Sequence, residues 1–251
     1  MHPPMDSITP IDVRSNQVLM PEKPTTRQTD WLFASTQLGR AAKNAMSARY
    51  CFCKRMVDLF VSGLLLILLM PLGLLLAALV WFTSPGPVFY REERIGRFGV
   101  PFRIFKFRSM YVYKADSICN IQTGGHDHLL QMRTFLKHVG NPRVTPVGRF
   151  LRKWSLDELP QLLNVFRGEM SLVGPRPIVD AERPIYGTHM QYYTLIHPGM
   201  TGLWQVSGRS NVDFSRRVHL DSIYCIHWSL RKDFLLLFKT IPAVLRKTGA
   251  Y

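Results

Sequence analysis

Between Asn141 and Pro177 the chain concentrates residues able to handle a phosphate. Asp157 and Glu158 stand side by side, and Arg143, Arg149, Arg152, Lys153, Arg167 and Arg176 surround them within one short region. Guanidinium groups bind phosphate in bidentate fashion, and helix amino termini hold anions. A carboxylate among such cations can attack phosphorus if a divalent cation screens its charge from the phosphate. The neighbouring carboxylate is a natural ligand for that cation, and oxygen ligands suit magnesium. The pattern points to phosphoryl transfer. A plainer reading stands beside it. Ser155-Leu-Asp157-Glu158 also matches a helix capping box, in which the two acids merely favour the positive end of a helix dipole. That reading puts Pro160 at the fifth helical position, where its missing N–H is already needed.

The elements that must position these groups begin with a hydrophobic run. From Leu59 to Phe82 the chain carries 24 residues without a charge, eleven of them Leu. As a helix the run is roughly 36 Å long, against roughly 30 Å of bilayer hydrocarbon. Pro71 sits at its middle, where proline removes a backbone donor and kinks a helix. Lys54 and Arg55 precede the run, while Arg91, Arg94, Arg97, Arg103, Lys106 and Arg108 follow it. A spanning helix usually carries its basic excess on one side only. A re-entrant helix that enters, bends at Pro71 and leaves by the same face satisfies both observations; a tilted single span is the alternative.

Ser84-Pro-Gly-Pro87 ends the run. Val88–Tyr90 and Phe102–Phe107 then read as two short strands joined by a turn holding Gly96 and Gly99. Tyr111–His138 is expected to form a helix, a loop and a second helix. Ser222–Lys247 reads as one amphipathic helix that Pro242 should interrupt or kink, packed in the core or lying on an anionic membrane. The predicted organisation is a partly disordered tail over residues 1–50, a membrane helix over 51–83, and a catalytic domain over 84–251.

Composition narrows the classes. The chain has 251 residues, 32 Lys plus Arg against 17 Asp plus Glu, and a net charge of +15. With 12% aromatic and only 20% charged residues it is not a disordered polycation. Cys51, Cys53, Cys119 and Cys225 are too few for a disulfide framework and read as reduced thiols. The basic surplus would suit nucleic acid, but no nucleic-acid motif is present, and the apolar run argues against a soluble binding module. No nucleic-acid partner is expected. The rival to an enzyme is a bitopic protein whose basic domain only binds anionic lipid or nucleic acid. His126-Asp-His128 and Gly96-x-x-Gly99 carry weak metal and phosphate signals.

Several stretches are long enough to be specific. Ser155-Leu-Asp-Glu-Leu-Pro-Gln161 and Gly168-Glu-Met-Ser-Leu-Val-Gly-Pro-Arg-Pro177 resemble the signature of the bacterial sugar transferases, the small monotopic polyprenol-phosphate sugar-1-phosphate transferases. Lys54-Arg-Met-Val-Asp58, Lys106-Phe-Arg-Ser-Met110 and His197-Pro-Gly-Met-Thr-Gly-Leu-Trp-Gln-Val-Ser-Gly-Arg209 match as well. The resemblance covers residue 50 to the end and is strongest to the exopolysaccharide-type enzymes. It implies an α/β, helix-rich monotopic membrane protein, with a Pro-broken re-entrant helix and amphipathic interfacial helices, at the cytoplasmic face of the bacterial inner membrane. It implies transfer of a hexose-1-phosphate from a UDP-sugar to undecaprenyl phosphate with release of UMP, galactose being preferred over glucose. In that scheme Asp157 is the nucleophile, Glu158 with Asp157 holds Mg2+, and Arg152 and Arg176 bind the phosphates. Lys106 and Arg108 support the nucleotide or acceptor side. Anionic membrane lipid is an expected partner, and a homodimer is compatible with the sequence. Met70, Glu92 and Asn141 depart from the family pattern, where Ser, Gln and Asp are frequent.

Overall fold

A computed structural model of the chain describes Thr36, Leu38, Gly39, Ala42, Lys43 and residues 47–112, 143–208 and 212–245. The expected tail lies almost wholly outside these residues, as do most of the expected helix–loop–helix after Tyr111 and the pair His126 and His128. Helix α1, Ala48–Thr83, contains the whole apolar run. It is the one helix among the described residues long and apolar enough to cross a membrane. The helical assignment runs through Pro71 without a gap, so the break expected there does not divide it in two. One face of α1 packs on the rest of the chain through Ser62, Leu76 and Val80, while Phe60, Ile67, Leu68, Leu74 and Phe82 are exposed.

Ser84 ends α1. Its hydroxyl donates to the carbonyl of Val80 at 3.3 Å, and the turn that follows passes over the Arg108 side chain. Gly86 adopts φ +115° there, and a Cβ on it would lie 2.5 Å from Arg108 Nη1. Only glycine fits that turn.

Strands β1 (Phe89–Ile95) and β2 (Pro101–Phe107) form the expected antiparallel ribbon, with Tyr90 opposite Lys106 and Glu92 opposite Ile104. Helix α2 (Pro146–Lys153), a single 3-10 turn (Leu156–Glu158) and helix α3 (Gln161–Arg167) follow. Strand β3 (Ser171–Val173) runs parallel to β4 (Gly199–Thr201). Between them lie the one-turn helices α4 (Arg183–Tyr186) and α5 (Met190–Tyr193); α6 (Leu203–Val206) follows β4. The strands make two separate two-stranded pairs, so helices dominate the described residues.

The single carboxyl-terminal helix expected over 222–247 is two helices, α7 (Phe214–Ile226) and α8 (Leu230–Leu245). The break at 227–229 has a tertiary cause. Trp228 turns inward and its indole N–H donates to Asp233 at 3.1 Å, while the Ser229 hydroxyl accepts from the Lys232 amide at 3.3 Å at the start of α8. Pro242 lies inside α8 without ending it. Phe234, Leu235, Phe238 and Ile241 are exposed on α8, whereas Asp233 and Leu236 are buried. The main core joins Leu162 and Val165 of α3 to Leu172, Tyr224, Trp228 and Leu236; a second cluster packs Leu76 and Val80 against Phe107 and Leu151.

Candidate active site

The site is assembled from β2, α2, the 3-10 turn and the loop after β3. The α2 start is fixed locally. Thr145 caps it, its hydroxyl accepting from the Gly148 amide at 2.8 Å, and Pro146 occupies the first turn, where no N–H is needed. Gly148 rests against the backbone of Ser109, where a Cβ would come within 2.0 Å of the carbonyl oxygen. This contact brings the last turn of α2 over the segment after β2, and Arg152 Nε donates to Ser109 Oγ at 2.9 Å.

The chain then turns through Ser155, which adopts φ 56°, and its side chain makes no cap bond. The capping-box reading of Ser155-Leu-Asp-Glu is therefore not realised. Asp157 and Glu158 sit on the separate 3-10 turn, and Pro160 precedes a fresh helix, where its missing N–H costs nothing. The two acids are free of a capping role.

Their environments differ. Lys106 Nζ lies 2.8 Å from Glu158 Oε1, and 31% of the Glu158 side chain is exposed. Burial works to raise the Glu158 carboxyl, but the charges of Lys106, Arg176 and Arg94 outweigh it and hold it below the ordinary glutamate range. Burial and the neighbouring Glu158 push Asp157 up to about 6, against the opposing pull of Lys106 and Arg152. Adjacent carboxyls in one charge cluster are thus driven apart in acidity.

Arg176 reaches the same hollow from the loop after β3. The parallel pair β3–β4 is unusually tight there, since a Cβ on Gly199 would meet the Gly174 amide nitrogen at 2.0 Å. The Arg176 guanidinium lies 5.6 Å from the Trp204 ring centroid, and that of Arg217 lies 4.8 Å from it. Cation–π contacts of this kind fix a guanidinium in direction. Lys106, Glu158 and Arg176 line one hollow with Arg94, Gln161 and Gln205.

Of the residues expected from sequence, Lys106, Arg152, Arg176, Asp157 and Glu158 form one electrostatic group. Arg108 is placed apart, buried beneath the end of α1, with Nη2 donating to the carbonyl and hydroxyl of Ser84. Its Nε and Nη1 are buried without a hydrogen-bond partner.

Two contributors were missed. Asn164, fully buried (0% exposed), accepts from the Phe105 amide at 3.0 Å and donates to the Arg103 carbonyl at 2.8 Å and Glu169 Oε2 at 2.7 Å. It bolts α3 to β2, and so fixes Lys106 relative to Asp157 and Glu158. A lone amide inside Leu162-Leu-Asn-Val-Phe166 was the available signal. Arg94, which donates to the Pro177 carbonyl at 3.1 Å, stood among the basic residues after α1 with nothing to single it out.

Among the described residues no group of three or more His, Cys, Asp and Glu side chains converges. Two adjacent carboxylates nonetheless fit magnesium, which keeps several waters and takes one or two carboxylates with substrate phosphates.

The family model described as bacterial sugar transferase matches residues 49–247. The exopolysaccharide production protein ExoY of Rhizobium meliloti is 46% identical over 198 residues, 79% of this chain and 88% of that protein. A UDP-glucose:undecaprenyl-phosphate glucose-1-phosphate transferase of Caulobacter vibrioides is 40% identical over 206 residues, 79% of this chain and 72% of the relative. The undecaprenyl-phosphate galactose phosphotransferase of Salmonella typhimurium is 45% identical over 203 residues, 80% of this chain but only 42% of that longer protein.

Proposed function

This chain belongs to the bacterial sugar transferase family, and from that premise we propose that it moves a hexose-1-phosphate from a UDP-sugar to undecaprenyl phosphate, releasing UMP. The observation that carries the reading is the divergence of Asp157 and Glu158. Asp157, pushed up to about 6, is still ionised at neutral pH but more basic than an ordinary aspartate. It is the better nucleophile of the two. An Asp157 carboxylate oxygen attacks the phosphorus that bears the sugar. The bond from that phosphorus to the bridging oxygen breaks, and UMP leaves with the electron pair. An oxygen of undecaprenyl phosphate then attacks the same phosphorus and frees Asp157.

Glu158, kept ionised by Lys106, would hold Mg2+ with help from Asp157. When bound, the ion neutralises phosphate charge so that a carboxylate can approach. Arg152 and Arg176 place fixed positive charge where the phosphoryl oxygens gather. Lys106 orients Glu158, while Arg108 acts from beneath the α1 exit rather than in the hollow. Relatives named for galactose and for glucose transfer leave galactose as our preferred sugar.

The membrane reading rests on tethers at both ends of α1. Near its start Lys54 Nζ lies 2.6 Å from Asp233 Oδ2 of α8, and Asp58 accepts from the Leu172 amide at 3.0 Å. Past its end Ser84 is held by Arg108, on the segment after β2. A helix crossing a bilayer would carry its two ends to opposite faces. We place both at the cytoplasmic face of the inner membrane, with α1 re-entrant about Pro71, residues 84–251 as the catalytic domain and residues 1–50 as a tail.

A second reading, direct transfer in which Asp157 is a base, is favoured by the same upward shift of the Asp157 carboxyl to about 6. The first test is UMP release by detergent-purified protein given UDP-galactose, magnesium and undecaprenyl phosphate. Lipid-dependent release that disappears in Asp157→Asn supports the enzyme. No release with any UDP-hexose returns the chain to a lipid-binding role.

A further inference from the structure

Asp157 and Glu158 lie before the first turn of α3. At the opposite end of that helix, beside Gly168, an open cavity of about 680 Å3, counting the solvent at its mouth, lies between the first turns of α1, the β1–β2 turn and the approach to β4. Its walls carry Lys54, Arg55 and Arg97 beside the apolar Met170, Ile196 and Trp228. No step of sugar transfer calls on it.

The three cations act on one point. Burial, aided by the charges of Arg97, Lys54 and Arg55, holds the nearby His197 down at about 4, and its Nδ1 is buried without a hydrogen-bond partner. Lys54 gives one of its three donors to Asp233, and Arg55 gives one each to the carbonyls of Val165 (2.6 Å) and Phe166 (2.7 Å). Both keep further N–H groups for a ligand. Asp233 and the wall residue Asp58 both act on Lys54, and against these two carboxylates the three cations leave one positive charge in excess. A single net charge complements a phosphodiester monoanion.

Position names the source of that anion. Lys54 lies just before the uncharged run that starts at Leu59, and Phe52, Met56 and Phe60 are exposed on the same part of α1. The cavity therefore opens where lipid headgroups meet hydrocarbon, given the membrane placement proposed above. We infer that it seats the phosphodiester headgroup of one anionic phospholipid, whose acyl chains enter the hydrocarbon beside the start of the uncharged run. The site is separate from the acceptor site at Asp157, and its occupant is not consumed.

The test uses the full chain in non-ionic detergent, titrated with dioctanoyl phosphatidylglycerol, with dioctanoyl phosphatidylcholine and with inorganic phosphate, and read by native mass spectrometry. One phosphatidylglycerol per chain should be retained in preference to phosphatidylcholine, and inorganic phosphate should not displace it. Arg97→Gln should weaken retention about tenfold, as loss of a charge-assisted hydrogen bond does. Cys51→Trp fills the cavity without changing its charge, and should abolish retention while UMP release continues. Equal uptake of both lipids, displacement by inorganic phosphate, or unchanged binding in both folded variants would overturn the proposal. Because the readout is lipid mass, failure of the sugar-transfer reading would leave this result standing.

Discussion

Lys106 and Glu158, 52 positions apart in the chain, meet at 2.8 Å. The contact joins the β ribbon to the 3-10 turn beside Asp157, and it separates the two acids electrostatically. Lys106 lowers both carboxyls, but Glu158 also gains Arg176 and Arg94, whereas Asp157 is raised by Glu158 itself. One ion pair thus supports two roles.

Replacing Lys106 by Met should lower kcat/KM by about 100-fold, the scale on which preorganised charge acts in a water-poor site. It should also move the acid limb of the pH–rate profile to higher pH, because Lys106 lowers Asp157 and its loss lets Asp157 rise. A lower rate with an unmoved limb would mean that Lys106 serves substrate alone.

The pH dependence of the native protein has a definite sign. Asp157 must be ionised to attack, so turnover should fall as pH drops through about 6. Stability should run the other way. A carboxyl whose folded value lies above its unfolded value binds more protons when folded, so stability declines as pH rises between the two. Asp157, and buried Asp221 at about 7, both contribute this sign, from 3.8 upward. Thermal melts of Asp157→Asn should therefore show equal or higher Tm near neutral pH, with turnover lost.

Asn164→Ala removes three hydrogen bonds from a fully buried site and leaves the Phe105 amide without its side-chain acceptor. Its expected cost is about 3 kcal/mol, summed from about 1 kcal/mol per bond. Denaturant unfolding measures that, and kcat should fall as Lys106 drifts from the 3-10 turn. Asn164→Leu, which fills the space, should recover less activity than stability.

At Gly148 the account is steric. A methyl group 2.0 Å from the Ser109 carbonyl must push α2 away and pull Arg152 from Ser109. Gly148→Ala should raise KM for the UDP-sugar, with a folded circular dichroism spectrum. The same substitution at Gly73, where nothing lies within 4 Å, should be silent in both measurements.

Much of this was legible in the residues themselves. An uncharged run of 24 residues marked one long apolar helix, and the alternation around Phe102–Phe107 gave the ribbon. The Asp157–Glu158 cluster was found by charge density and by motif. What stayed hidden depended on distant partners. The break at 227–229 follows from Trp228 reaching Asp233, which periodicity along one helix does not contain. Asn164 looked like a defect in an apolar segment until β2 lay against it. Arg108, two positions from Lys106, was grouped with it by motif, and strand alternation alone would keep the two on one face; but β2 ends at Phe107, and hydrogen bonds to Ser84 hold Arg108 elsewhere.

The most direct measurement is intact-protein mass spectrometry after incubation with UDP-galactose and magnesium in the absence of undecaprenyl phosphate. A hexose-phosphate adduct should accumulate, map to Asp157, disappear on addition of undecaprenyl phosphate, and be missing from Asp157→Asn. Lipid-dependent UMP release by native protein that never carries the adduct would contradict a carboxylate nucleophile and make Asp157 a base in direct transfer.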